Sequence, residues 1–110
     1  MPRRQRNRVL WTHTATRDLE SIVDYMNHDD FNAAVQLLNK VRKVPSKLQF
    51  IFNKGRIVPE LKEFSLRIYR EILTPPWRII YKISGLDVYV MAVIDSRRNV
   101  EDILLDRMIR

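Results

Sequence analysis

The chain has 110 residues, a net charge of +7, 45% hydrophobic residues and no cysteine. This length fits one domain of about 100–150 residues, and the hydrophobic content is sufficient for one core, which excludes a wholly disordered chain. The lack of cysteine excludes disulfides, thiolate metal sites and a cysteine nucleophile. No apolar run approaches the roughly 20 residues that span a bilayer, and no signal peptide follows Met1. We therefore expect a cytoplasmic protein that has no membrane association.

The positive charge lies in the first eleven residues and in the second half of the sequence. Residues 1–11 carry four arginines and no acid, residues 12–52 are neutral, and residues 53–110 carry an excess of three bases. Such an imbalance favours nucleic acid, ribosomal RNA or an acidic protein as the partner. Two interpretations of the basic tip, residues 1–8, stay open: an arm that binds an anionic partner, or a solvated, disordered tail. A single domain is predicted over residues 9–110.

The first half of the sequence predicts one strand and two helices. Val9–Trp11 is a short apolar run, and Thr12 or Thr14 is positioned to cap the helix that follows. That helix is expected to end near Asn27–Asp30, and Asp29 or Asp30 is placed to cap the second helix. The apolar positions at helical spacing are Ala15, Leu19, Ile22, Val23 and Met26 in the first helix and Phe31, Ala34, Leu38 and Val41 in the second. Because the connection is short, the two helices are predicted to form an antiparallel hairpin.

The second half predicts three strands and a last helix. Pro45 is expected to interrupt or restart the second helix. Leu66–Leu73 and Trp77–Ile83 then alternate with a period of two, and Val88–Ile94 is nearly all apolar, as expected of a strand buried on both faces. A Pro-Pro turn and a Gly turn separate the three stretches. Asn99 is placed to cap a helix that continues to the end of the sequence. The predicted fold class is α+β: a first strand, the helical hairpin, a three-stranded antiparallel meander in one twisted sheet, and a C-terminal helix. One sheet face is expected to pack on the hairpin and the other to be partly open.

The order and spacing of several short motifs carry a resemblance that covers residues 9–99. The motifs are Trp11, Ala15-x-x-Asp18-Leu19-x-x-Ile22-x-x-Tyr25, Gly55–Leu61 (GRIVPEL), Tyr69–Ile72 (YREI), Trp77–Ile83 (WRIIYKI) and Val93–Arg98 (VIDSRR). Together they resemble the ParE/RelE superfamily of bacterial toxins from type II toxin–antitoxin modules, which includes the plasmid stabilisation proteins. The resemblance implies the RelE/ParE-like fold, a cognate antitoxin as partner, a heterotetramer with that antitoxin, and no cofactor or metal.

The superfamily divides by target, and the resemblance leaves more than one target open. ParE-like members poison DNA gyrase, whereas RelE-like members enter the ribosome and cleave messenger RNA. The motifs of the first helix and the Arg97-Arg98 ending look more like the ParE side, which implies growth arrest through gyrase. The resemblance then assigns gyrase binding to the hairpin residues Tyr25, Met26 and Phe31. A ribosome-dependent, metal-independent mRNA interferase is the alternative, and a degenerate member that only binds an antitoxin is a third.

If the chain is a nuclease, arginines must bind the scissile phosphate, because a planar guanidinium holds phosphate oxygens in pairs and stays charged. By resemblance the catalytic residues would be Arg70, Arg78, Arg97 and Glu60, and the nucleic-acid-binding residues would be Arg56, Arg67, Tyr81 and Arg98. The proton-transfer groups are poorly supplied, since residues 99–110 contain neither histidine nor tyrosine. A structural alternative for Arg78 is a cross-strand ion pair with Glu71, which contributes about 0.2–1 kcal/mol.

The histidines and most of the aromatic residues are expected to be structural. His13 and His28 have no second ligand at metal-binding spacing, so no metal site is predicted. Trp11 and Trp77 are expected to pack in the core.

Overall fold

The computed structural model describes residues 8–51, 55–64 and 66–108. The elements are β1 (Arg8–Trp11), α1 (His13–Asp29), α2 (Phe31–Ile51), β2 (Arg56–Ile57), α3 (Pro59–Lys62), β3 (Tyr69–Thr74), β4 (Trp77–Ser84), β5 (Asp87–Asp95) and α4 (Val100–Met108). Apart from Arg8, the predicted basic tip lies outside the described residues. No helix among the described residues is long and apolar enough to cross a membrane.

One five-stranded sheet with the order β1-β5-β4-β3-β2 organises the domain. Strands β2 to β5 pair antiparallel, and β1 lies parallel to β5 at one edge. The predicted α+β class and the three-stranded meander of β3, β4 and β5 are confirmed. The two-residue strand β2 was not predicted, because two residues are too few to show a period. Arg8 pairs in register with Asp87, so the first strand begins one residue before the predicted Val9.

The hairpin of α1 and α2 is fixed by two side-chain caps. Thr12 Oγ1 accepts a hydrogen bond from the Ala15 amide at 3.1 Å, and its hydroxyl donates to the Val90 carbonyl at 2.9 Å. Of the two predicted caps for α1, Thr12 is therefore the one used. Asp30 alone joins the helices, and its Oδ1 accepts from the Ala33 amide at 3.1 Å. These bonds satisfy amides that a helix start otherwise leaves unpaired.

Two hydrophobic clusters pack against opposite faces of the sheet. The cluster on the hairpin side contains Ala15, Leu37, Val41, Trp77, Ile79, Tyr81, Val88, Val90 and Val93. The cluster on the other side contains Val58, Leu61, Tyr69, Ile80, Ala92, Ile94, Val100 and Leu104. The expectation that the second face is partly open is wrong there, because α3 and α4 bury apolar residues against it. Helix α3 was missed because four residues carry no measurable helical period.

The inward stripe of α2 differs from the predicted one. Leu37 is 2% exposed and Phe31 is 68% exposed. The buried positions Ala34, Leu37 and Val41 satisfy a helical period as well as the predicted set did, so spacing alone could not separate Leu37 from Leu38. Phe31 is the first residue of α2, at the turn of the hairpin. The helix also continues to Ile51, so the predicted interruption at Pro45 is wrong.

Strand β3 begins at Tyr69 and not at Leu66, because the backbone before it turns and hydrogen-bonds back to the end of α3. The Leu66 amide donates to the Leu61 carbonyl at 3.2 Å, which removes it from any strand ladder. In β5 a bulge opposite the Ile80/Tyr81 step places Val90 and Val93 in the same cluster although they are three residues apart.

One carboxylate joins α1, β5 and α4. Asp18 Oδ2 accepts from the Val93 amide at 3.1 Å, on the part of β5 that extends past the end of β1. The Arg107 guanidinium donates to both Asp18 oxygens at 2.7 and 2.8 Å. Strand β1 ends before Val93, so Asp18 takes the place of a strand partner for the Val93 amide. Through Arg107, Asp18 also attaches α4 to α1.

The two leucines of α2 give a direct test of this packing. Leu37→Ala should lower the free energy of unfolding by about 2–5 kcal/mol, because it leaves a cavity between α2 and the sheet. Leu38→Ala, at a partly exposed position, is the matched control and should cost clearly less. Urea unfolding followed by circular dichroism measures both. Equal losses would contradict the assignment of Leu37 to the core.

Candidate functional site

A network of two arginines and two glutamates lies on the sheet face that α3 covers. The Glu71 side chain is fully buried and accepts from Arg78 Nε at 2.6 Å and from Arg56 Nε. The two terminal nitrogens of Arg78 donate to the two Glu60 oxygens, each at 2.7 Å. The predicted Glu71–Arg78 ion pair is confirmed. It is a diagonal pair, because the residue directly opposite Arg78 is Leu73.

All three nitrogens of the Arg78 guanidinium donate hydrogen bonds within this network. Arg78 is 7% exposed, and each of its three nitrogens donates to a carboxylate. Hydrogen bonds from Arg78 lower the pKa of Glu60, and those from Glu60 and Glu71 raise the pKa of Arg78. Arg78 could hold a phosphate only after Glu60 had moved away, because the two terminal nitrogens that would bind it already bind Glu60.

The other predicted nuclease residues do not converge on Arg78. Arg70 lies on the opposite sheet face, in register with Tyr81, and donates to the Gly55 carbonyl at 2.8 Å. Arg97 lies beyond the end of β5, and Arg67 is exposed in the turn before β3. Arg56 is brought to Arg78 through Glu71, and Glu60 binds Arg78 directly. The structure therefore assembles Glu60 and Arg78 from the predicted catalytic set and leaves Arg70 and Arg97 elsewhere.

Tyr81 lies in the core and not on a surface. Its ring is 0% exposed, and burial raises the pKa of its hydroxyl. A Cβ atom on Gly55 would lie 2.0 Å from the Tyr81 hydroxyl oxygen, so the close approach of that loop requires glycine. The predicted base-stacking role of Tyr81 is not supported by this placement, because a buried ring presents no face to a base.

A groove of about 680 Å³ lies between the helical hairpin and the sheet end that carries the β3–β4 turn. We call it the hairpin groove. Its main apolar residues are Ile22, Met26, Leu37 and Trp77, and its charged residues are Lys40, Asp95, Arg97 and Arg98. Leu37 and Trp77 are buried, whereas Lys40, Arg97 and Arg98 are exposed. The groove therefore has an apolar floor and a positively charged rim.

Asp95 fixes the position of Arg97 on this rim. Arg97 donates its backbone amide and its Nε to Asp95 Oδ1, both at 2.9 Å, and a terminal nitrogen to Oδ2 at 2.6 Å. These bonds lower the pKa of Asp95. Asp95 lies opposite Trp77 in the sheet, so the residue that holds Arg97 on the rim is the strand partner of a residue in the floor. Arg98 follows in the same loop and is exposed.

The predicted gyrase-binding residues lie at the end of the hairpin where α1 turns into α2. Tyr25 is 74% exposed and Phe31 is 68% exposed, so this end of the hairpin presents two large aromatic side chains to solvent. Tyr25 and Met26 also line the hairpin groove, together with Arg97 and Arg98. The structure therefore brings two residues predicted to bind gyrase, Tyr25 and Met26, into one groove with Arg97 and Arg98, which were predicted for the nuclease alternative.

Sequence reasoning did not place Trp77, Leu37 or Lys40 in a groove. Trp77 was predicted as a core residue and Leu37 was left out of the predicted stripe of α2, whereas both are buried and also form part of the groove floor. Lys40 gave no signal beyond its charge, because nothing in the sequence shows that α2 turns it toward the Arg97-Arg98 loop. Among the described residues no cluster of three or more His, Asp or Glu is arranged to hold a metal ion.

Solved structures of known proteins have the same architecture. A chain of the chromosomal ParDE toxin–antitoxin system from Pseudomonas aeruginosa superposes with a TM-score of 0.68 at 17% identity, over 81% of this chain and 95% of that one. A chain of the RelBE2 toxin–antitoxin complex from Mycobacterium tuberculosis gives a TM-score of 0.60 at 16% identity, over 86% of this chain and 97% of that one. The protein therefore has the RelE/ParE-like fold.

Sequence comparison narrows this class to one family. The family model described as the ParE toxin of the type II toxin–antitoxin system parDE matches residues 9–100. A curated relative, toxin ParE3 of Caulobacter vibrioides, is 26% identical over 98 residues, which is 84% of this chain and 90% of that protein. The chain belongs to the ParE toxin family, and the predicted superfamily is confirmed.

The Glu60–Arg78 pair predicts a pH dependence of stability. Because the pKa of Glu60 is lowered from its ordinary value of 4.5 in the folded protein, its stabilising effect is complete above that pH and is lost as the pH falls below it. Glu60→Gln should therefore cost about 1–3 kcal/mol at pH 7 and much less near pH 3. Unfolding titrations at both pH values measure this difference. A constant difference between the two proteins would contradict the role of the Glu60 charge.

Proposed function

We propose that this ParE-family toxin arrests growth by binding DNA gyrase, without catalysing a reaction itself, and that a cognate antitoxin neutralises it. The observation that carries the proposal is the contrast between two sets of residues. Arg78, which a nuclease of this fold would need, is held by two carboxylates, while Tyr25 and Phe31 at the hairpin are open to a partner. A gyrase target also implies that the protein acts in the cytoplasm.

The geometry argues against the nuclease alternative in two steps. Arg70 and Arg78 lie on opposite faces of the sheet, so they cannot hold one phosphate together. Glu60 occupies the guanidinium edge of Arg78 that a phosphate would use. A nuclease would also need a group that transfers protons near neutral pH, and arginine is too strong a base to serve.

The hairpin supplies what a protein-binding surface needs. Interfaces draw most of their binding energy from a few large residues, and tyrosine is among the commonest of them. Tyr25 projects from α1 and Phe31 begins α2, on either side of the short connection at Asp30. Because two capped helices hold this connection, both side chains are presented on a rigid support, which lowers the entropy lost on binding.

The proposed antitoxin partner follows from the relatives and from the charge. The similar structures belong to a ParDE system and to a RelBE2 toxin–antitoxin complex. A net charge of +7 favours rapid association with an acidic partner. We expect the complex to be the heterotetramer that the family resemblance implies, and size-exclusion chromatography with light scattering on the co-expressed pair would measure its composition.

Induction of the toxin in growing cells separates the three functions that the sequence left open. Gyrase poisoning should give filamentation, a DNA-damage response and covalent gyrase–DNA complexes, and purified toxin should block supercoiling by gyrase. Cut messenger RNA with an early stop of protein synthesis would instead support an mRNA interferase and would contradict the proposal. Normal growth with retained antitoxin binding would identify a degenerate member.

Substitutions at the hairpin test the proposed surface. Tyr25→Ala with Phe31→Ala should weaken gyrase inhibition by about tenfold or more, since these are exposed aromatic residues and their loss removes interface anchors. Leu86→Ala is the matched control, because Leu86 is 59% exposed in the β4–β5 turn. Supercoiling assays give the concentration for half inhibition, and circular dichroism checks the fold. Full inhibition by the double variant would contradict the assignment.

Arg70→Ala and Arg97→Ala provide a second test that does not disturb the buried network. Both should leave gyrase inhibition nearly unchanged, whereas a phosphate-binding role predicts loss of toxicity in each. Arg78→Ala is less informative, because removal of Arg78 leaves Glu71 buried without one of its two partners and destabilises the fold. Cell viability after induction, with protein levels measured by immunoblot, distinguishes the two outcomes.

A further inference from the structure

We propose that a second surface of the helical hairpin docks a basic, amphipathic helical segment of gyrase, so that the hairpin contacts the gyrase protein and not the DNA that gyrase holds. This surface, which we call the acidic seam, runs between α1 and α2 and consists of Leu19, Glu20, Val23, Asp24, Val35 and Leu38. It shares no residue with the hairpin groove. The choice of gyrase as the owner of the segment rests on the function proposed above, whereas the chemistry of the segment follows from the seam alone.

The seam has an apolar floor to which both helices contribute. A depression of about 360 Å³ is lined by Leu19 and Val23 from α1 and by Leu38 from α2. Leu38, Val35 and Phe31 follow one another at spacings of three and four, so they lie on one face of α2 and lead from the depression to the hairpin turn. Val35 is 39% exposed and Phe31 is 68% exposed. A contiguous row of exposed apolar residues marks an interaction surface.

The two carboxylates of the seam differ from most other acids that the structure describes. Five carboxylates elsewhere form ion pairs with arginines, namely those of Asp18, Glu60, Glu71, Asp87 and Asp95. Glu20 and Asp24 are exposed, and neither forms an ion pair with another described residue. Both charges therefore remain for a partner to neutralise.

The charge around the seam is opposite to that of the whole chain. Residues 19–39 contain four acidic residues and no lysine or arginine, in a chain whose net charge is +7. The phosphates of DNA would be repelled by this stretch, whereas lysines and arginines of a protein would be attracted to it. The seam therefore favours a basic protein segment over nucleic acid.

The spacing of the seam residues defines the pattern that the partner needs. Glu20 and Asp24 are four positions apart on α1, so they lie about 6 Å apart along the helix axis. A partner helix along the seam would match them with two lysines or arginines one turn apart. The same helix would present apolar residues at i, i+3 or i+4, and i+7 to the floor. Such a segment is a basic amphipathic helix.

The seam continues the surface that is proposed above to bind gyrase. Tyr25 follows Asp24 directly in α1, and Phe31 lies at the end of the row that begins with Leu38. One segment that covers the floor would therefore also contact Phe31. In such an interface the aromatic anchor supplies affinity, and the carboxylates select the charge and the orientation of the partner.

A designed peptide tests the chemistry of the seam without gyrase. The probe is a fluorescein-labelled helical peptide of about four turns, with leucines at i, i+3, i+4 and i+7 and lysines along one flank. Its control has the same composition in a scrambled order, which removes the apolar face and keeps the charge. Fluorescence anisotropy with the wild-type toxin should show the ordered peptide binding at least about tenfold more tightly. Equal binding of both peptides, or binding of neither, would overturn the proposed seam.

Charge reversal locates the bound peptide. Glu20→Lys with Asp24→Lys should weaken the ordered peptide by about tenfold or more, since two attractions become two repulsions. The matched control is Glu63→Lys with Glu101→Lys, which makes the same change in net charge at two exposed positions outside the seam. Equal weakening by the two pairs would mean that overall charge decides binding, and it would overturn the site. Circular dichroism checks that each variant is folded.

Supercoiling assays test gyrase as the owner of the segment. The Glu20→Lys, Asp24→Lys variant should need at least about tenfold more toxin for half inhibition, while the control pair stays close to the wild type. Contact between the hairpin and DNA predicts the opposite sign, because two added lysines would strengthen binding to phosphates. A seam variant that inhibits gyrase as well as the wild type, or better, would therefore overturn the proposed contact.

The two assays separate failure of the seam from failure of the target. A wild-type toxin that binds the ordered peptide at the seam and leaves gyrase active supports the docking chemistry and contradicts the gyrase target. A toxin that inhibits gyrase without binding the ordered peptide supports the target and contradicts the basic segment. A second copy of this chain on the seam would appear in light scattering as a dimer that the seam variant dissociates, and it would overturn gyrase as the occupant.

Discussion

The candidate site depends on the ion pairs that the buried carboxylate of Glu71 forms with two arginines. This carboxylate accepts from Arg56 on β2 and from Arg78 on β4, and Arg78 in turn binds Glu60 on α3. A buried charge is costly unless it is paired and hydrogen-bonded, so these four residues hold their elements together as a unit. Removing one partner would leave another charge unpaired beneath α3. This mutual requirement fixes α3 on the sheet and keeps Arg78 away from solvent.

The network lies on the side of the sheet that is closed by internal packing, and the opposite side carries the surface that we propose binds a partner. On the α3 and α4 side, charge is neutralised internally and apolar residues close the second core. On the hairpin side, Tyr25 and Phe31 remain exposed, and Lys40 and Arg98 border an apolar groove. Positive charge that was evident in the sequence therefore serves two purposes, one internal to the fold and one at the surface. The ParDE and RelBE2 chains share this fold, so the arrangement of side chains, and not the fold, is what bears on the target.

Much of the fold could be predicted from the sequence because its long elements have clear periods and caps. The meander, the helical hairpin and the Thr12 cap followed from alternation, helical spacing and capping chemistry. Short or ambiguous elements could not be predicted in the same way. Helix α3 and strand β2 are too short to show a period, and Leu37 and Leu38 fit one helical stripe equally well. The residues of the candidate site were harder to predict, because they depend on which face of the sheet each strand residue occupies and on partners that are distant in sequence. Glu60 and Arg78 are 18 residues apart, and Lys40 meets the Arg97 loop only through the fold.

The Asp18 carboxylate gives the last helix two attachments of different physical character. Val100 and Leu104 hold α4 to the sheet by apolar burial, whereas Arg107 holds its end to α1 through a partly exposed ion pair. Added salt screens the second attachment and, if it is a strongly hydrated salt such as sulfate, strengthens the first. The end of α4 should therefore loosen from α1 in concentrated chloride while its base stays in place. Ionic composition, and not temperature alone, thus sets how firmly the beginning and the end of this chain are joined.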